Sequence, residues 1–192
     1  MTDHDAFAER GRALEEDYFR KKDRELVEKL RQSAAAQQAR DGIGKSTGLQ
    51  DPALISALQE LGFTADTVGL LPLVPVVQMA WAEGGVTKAE RTAISHLARS
   101  RGVAEGTEAD RQLTAWLDER PSDTVFVGAR RLIRAMLDSG SGSTAGMSED
   151  DIVKFCEEIA ASSGGMFGIG RVSAEERALL TSIAADLRSR RG

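Results

Sequence analysis

Residues 86–98 read VTKAERTAISHLA, and residues 172–184 read VSAEERALLTSIA. One register aligns Val86 with Val172, Thr87 with Ser173, Glu90 with Glu176, Arg91 with Arg177 and Ala98 with Ala184. Ile94/Leu180 and Leu97/Ile183 are conservative pairs. Each copy opens as a capping box: the Thr or Ser hydroxyl accepts from a free helix N–H, and the Glu three residues on reaches back to the cap. The apolar positions that follow bury one helix face. An apolar helix and a Gly-bearing turn precede each copy, Met79–Gly85 in the first and Ile159–Gly170 in the second. Two such units facing each other with pseudo-symmetry form a compact bundle.

The rest of the chain agrees with this all-helical reading. Helices are expected over about 5–38, 52–61, 70–82, 88–101, 108–119, 122–139, 149–162 and 174–190, with Thr107, Ser122 and Ser148 as caps. Val125-Phe126-Val127 is the one β-like patch, and the helical run after it keeps it helical. The organisation expected is a charged N-terminal amphipathic helix (1–38), a flexible linker (39–50) and a bundle of about seven helices (51–192).

The linker contains DGIGKSTG, Asp41 to Gly48, which ends like a phosphate-binding loop. That loop needs G-x-x-x-x-G-K-[ST] between a strand and a helix, its first Gly letting the backbone curl around the phosphates. Here Ala39 takes the place of the first Gly, an Ala/Gln-rich helical run precedes it, and Asp51-Pro52 starts another helix. It is not a nucleotide site. Gly164–Gly170 is no dinucleotide fingerprint either, because its order is reversed and it follows a helix.

Composition narrows the function. A net charge of −5 argues against a general nucleic-acid binder. Residues 1–40 carry nine Lys/Arg and nine Asp/Glu, so the excess acid lies after them. The single cysteine, Cys156, sits in an apolar periodicity and reads as a small buried hydrophobe. His4 and His96 are isolated, so no triad or zinc site assembles, and the chain reads as non-enzymatic. Without a signal-peptide core or a run able to span a bilayer, no membrane insertion and a cytoplasmic location are expected. The apolar run Gly69–Ala82 reads as a buried helix.

Ala82-Glu83-Gly84-Gly85-Val86-Thr87-Lys88-Ala89-Glu90, with the looser second copy Ala161–Gly164 and Val172–Glu176, resembles the TerB-like family of helical domains named for tellurite resistance. The resemblance covers about residues 52–190 and implies a TerB-like bundle. It also implies a stress-related role and, through acidic side chains near the turns, a divalent metal such as calcium. The positions concerned are Glu83, Glu90 and Glu176.

The N-terminal helix carries a second resemblance. Arg10, Ala13, Glu15, Glu16, Tyr18, Phe19, Arg20, Arg24, Glu25 and Leu30 match the R-x-x-A-x-E-E-x-Y-F-R helix of the mitochondrial ATP synthase inhibitor family. The resemblance implies a helix that wedges between catalytic subunits of the rotary ATPase through Glu15, Glu16, Tyr18 and Phe19. The family's histidine-rich coiled coil is absent after residue 32. Independently of any family, Phe7, Leu14, Tyr18, Leu26 and Leu30, with Phe19 beside Tyr18, make an apolar stripe on a charged rod. Such a rod is marginal alone and must bury its aromatics on the chain's own bundle, on a second copy or on another protein. The reading that results is an interaction or regulatory module. Glu15, Glu16, Tyr18, Phe19, Leu26 and Leu30 dock a protein partner, and the bundle is the scaffold.

Overall fold

A computed structural model describes residues 3–139, 148–162 and 172–188, with side chains from Glu15 onward and excepting Ser139. The described residues are all-helical: α1 Asp3–Thr47, α2 Pro52–Glu60, a 3-10 helix Val68–Leu73, α3 Val74–Ala80, α4 Lys88–Ser100, α5 Glu108–Asp118, α6 Asp123–Ser139, α7 Glu149–Ser162 and α8 Ala174–Arg188. Two compact units divide at Ala39/Arg40. The first is the charged part of α1. The second holds the end of α1 and all the other helices.

The expected linker over 39–50 is corrected. α1 continues to Thr47, and Ile43, Thr47 and Leu49 are buried in the second unit. Its glycines serve close packing, not flexibility. A Cβ on Gly42 would lie 3.2 Å from Ala65 Cβ, and one on Gly44 would lie 3.2 Å from the Leu49 carbonyl. The helix then stops in an ordinary way. Gly48 takes a φ of 73° and donates to the Gly44 carbonyl at 2.8 Å, while the Thr47 hydroxyl donates to the Ile43 carbonyl and accepts from Leu49 N–H. DGIGKSTG is thus a packed helix C-terminus.

α2 starts as expected, with Asp51 accepting from Ala53 N–H at 2.8 Å and Pro52 in the first turn. α2 and α4 end alike. Gly62 and Gly102 turn left-handed, and the buried Phe63 and Val103 donate back to Leu58 and Ala98. The single helix expected over 70–82 is instead the 3-10 turn followed by α3. Pro72 lies inside the first piece and Pro75 in the first turn of the second; a proline offers no N–H to an i→i−4 ladder and clashes with the preceding turn. The segment is buried along nearly its whole length. α4, α6, α7 and α8 pack around α3. Val125-Phe126-Val127 is helical, and Phe126 is fully buried.

Both capping boxes of the echo form. Thr87 N–H donates to Glu90 Oε2 at 2.7 Å, and Glu90 N–H to Thr87 Oγ1 at 3.2 Å. In the second copy the distances are 2.7 Å for Ser173 N–H to Glu176 and 3.1 Å for the return bond. Ser148 and Asp151 repeat the arrangement at the start of α7, at 2.9 and 3.2 Å.

Ile43→Ala tests the reassignment of 39–50. In a packed helix end it lowers unfolding stability by about 2–5 kcal/mol, read from urea melts of the full chain. In a flexible linker it leaves the midpoint where it was.

Candidate interaction surfaces

Because α1 turns by about 100° per residue, Phe19, Leu26 and Leu30, spaced seven and four apart, lie within about 20° of one line. Tyr18 and Val27 flank that line on opposite sides. All five are exposed: Tyr18 58%, Phe19 62%, Leu26 56%, Val27 45% and Leu30 61%. Among the described residues one other large hydrophobe, Val127, is exposed, at 36%. The single stripe drawn from Tyr18 to Leu30 therefore resolves into a Phe19–Leu26–Leu30 ridge with Tyr18 beside it. Phe7 and Leu14 have side chains outside the described residues. Val27 was missed by the sequence reading, although it falls next to the ridge in any helical projection.

Side chains around the N-terminal end of the ridge touch one another. The Tyr18 and Phe19 rings meet edge to face at 5.9 Å, and Lys22 Nζ lies 5.8 Å over the Tyr18 ring. Arg20 pairs with Asp17 at 2.9 Å and with Glu16 at 4.0 Å, and Lys22 with Glu25 at 3.5 Å. These pairs are solvent-exposed and worth at most a few tenths of a kcal/mol each (roughly). They leave the ridge exposed. Glu15 and Glu16 are exposed acids beside its N-terminal end.

Glu90 and Glu176 are buried, and each carboxylate already accepts its own cap N–H. Glu83 stands exposed in the turn before α4. Glu149, Asp150 and Asp151 do not complete a cage: Asp150 pairs with Arg188 at 2.7 Å, and Asp151 caps α7. A hard divalent cation takes six or more oxygens. Among the described residues no group of three or more His, Cys, Asp and Glu is placed to hold a metal ion.

The capping carboxylates carry a different consequence. Burial pushes the Glu90 carboxyl above its ordinary value of 4.5, against the hydrogen bonds from Thr87, and the charges of Glu176 and Glu83 push it further. Burial likewise pushes the Cys156 thiol up to about 12, with Glu157 adding to the effect and Arg130 opposing it. Cys156 is accordingly a packing residue with negligible thiolate at neutral pH.

Comparison with protein-family models, with curated proteins and with solved structures finds no match for this chain. Among the described residues no helix is long and apolar enough to cross a membrane.

Glu90→Gln checks the electrostatics of the paired boxes. A carboxyl whose folded pKa is raised favours the folded state below its unfolded pKa, and that contribution is lost as pH rises through the folded value. Gln keeps the cap without the charge. The variant is expected to melt above the parent at pH 7, and its advantage to vanish below about pH 4.5. A variant that melts lower at pH 7 would show that the charged cap outweighs its desolvation.

Proposed function

We propose that this chain is a non-enzymatic interaction module. Its N-terminal helix docks on a protein partner through the Phe19–Leu26–Leu30 ridge with Tyr18, and its bundle is a TerB-like scaffold. One observation carries the docking half: five of the six large hydrophobes exposed among the described residues lie on one helix within residues 18–30. A cluster of that kind marks an interaction surface more often than an idle one. Residues 18–30 extend about 18 Å along the helix, enough for the i, i+7, i+11 anchors of a helix seated in an apolar groove. What supports the scaffold half is the pair of capped helix–turn–helix units.

A second copy is the other occupant to be tested: Asp23 lies within about 40° of the ridge and Glu16 and Lys22 within about 60° on opposite flanks, so two copies packed ridge to ridge would bring both signs of charge to the seam. The catalytic subunits of a rotary ATPase are one candidate, through Glu15, Glu16, Tyr18 and Phe19.

The test uses the full chain with a photo-crosslinking residue at Val27, beside the ridge, in cell extract. One partner chain is expected to crosslink, and Phe19→Ala with Leu26→Ala to weaken its capture roughly tenfold or more. Because these side chains are exposed and Ala favours helix, the melting curve should not move. If the curve drops instead, the ridge is packed on the chain itself and the docking reading fails. A crosslinked homodimer would replace the foreign partner with a second copy.

A further inference from the structure

α1 joins two stretches whose helical state has different supports. From Gly42 to Thr47 it is fixed by packing. Ile43 and Thr47 are buried, a Cβ on Gly44 would lie 3.4 Å from Ile55 Cδ1, and Gly48 N–H closes the last turn on the Gly44 carbonyl. From Glu15 to Ala39 every side chain is exposed except Ala36, which is half-buried. The boundary between the two compact units falls between these stretches, inside one helix.

A helix has to start before it can grow, and starting is the costly step. The first turn fixes three residues for one hydrogen bond, which lowers its weight roughly a thousandfold, whereas each later residue adds a bond at little cost. The exposed stretch is well made for growth. Between Glu15 and Ala39 there is no Gly or Pro, and Val27 is the one β-branched residue. Ser33-Ala34-Ala35-Ala36-Gln37-Gln38-Ala39, rich in good helix formers, leads from the packed end toward the ridge. It is poorly made for starting. The side-chain pairs Arg20 with Asp17, Lys22 with Glu25 and Gln32 with Glu28 are each worth a factor of about two, so the three recover about tenfold of the thousandfold.

We propose that the packed end of α1, residues 42–47, is a built-in nucleus from which the exposed stretch 15–39 is kept helical, so that the bundle prepares the ridge. The packing of Ile43 and Thr47 holds the last turns in helical geometry. The chain before them adds residues to an existing helix and escapes the starting cost. Helicity is then greatest next to Arg40 and falls toward the N-terminus. The consequence for binding rests on the docking reading. The apparent affinity of the ridge for its partner scales with the fraction of chains in which 18–30 are helical, so loosening the packed end weakens capture without altering the ridge. The nucleation itself needs no partner, and it stands or falls separately.

The test reads the Cα chemical shifts of residues 18–30 in the full chain carrying Ala39→Pro, with no partner present. Ala39 is exposed and lies between the Ala/Gln run and the packed end. A proline there breaks the ladder to the preceding turn, yet it suits the first turn of the helix that remains. Its clash reaches back about four residues, well short of Leu30. The helical shifts of 18–30 are expected to fall by about half or more, while 42–47 keep theirs and the bundle keeps its melting curve. Ala35→Pro, one turn further from the packed end, is expected to give the same loss, and Ala39→Gln to change nothing. Parent-like shifts at 18–30 in both proline variants overturn the proposal, because the stretch then sustains its own helix. An equal loss in Ale39→Gln overturns it as well, since the effect then belongs to the Ala39 side chain.

Discussion

A helix without a polar face has to be covered on every side, and α3 is such a helix. From Leu70 to Ala80 all the side chains but one are buried, and the exception, Gln78, is half-buried. Leaving that surface in water would cost on the order of 25 cal/mol for each Å² of apolar area. The requirement to cover it draws α4, α6, α7 and α8 together. The lone amide then needs a partner, and Arg130 supplies it from α6 while reaching Asp186 on α8. One apolar segment thereby sets both the packing order and the buried polar contact of the bundle.

Much of this was legible in the sequence because the signals were local. The Thr87/Glu90 and Ser173/Glu176 boxes follow from residue type and spacing alone, and so do Asp51-Pro52 and the helical state of Phe126. DGIGKSTG was misread because Gly42 and Gly44 answer to Ala65 and Ile55, which no window of eight residues around them contains. The division of 70–82 into a 3-10 turn and α3 was signalled by Pro72 and Pro75 but subordinated to the apolar run. Two of the acids expected near a metal, Glu90 and Glu176, close the capping boxes, a role that residue type and spacing already gave them.

The α1 ridge is an apolar line on an exposed helix, with Arg20 paired to Asp17 and Lys22 to Glu25 beside it. α4 and α8 share a start but not their neighbours: α6 packs on α8. Arg91 and Arg177 diverge in the same way. Arg91 crosses to the Leu117 carbonyl and Asp118 at the end of α5, whereas Arg177 bonds the Val172 carbonyl beside its own cap. Equivalent residues were released for different work once the shared cap had fixed the helix start.

α1 is one helix with two fates: its end belongs to the core, and its middle is exposed. Hydrogen exchange of the full chain, alone in solution, tests this most directly, because protection reports which segments open together. Amides of 42–47 are expected to exchange as slowly as those of α3 and α7, and those of 18–30 far faster. Equal protection across both segments would contradict an exposed ridge. Exchange at 42–47 as fast as at 18–30 would return that segment to a linker.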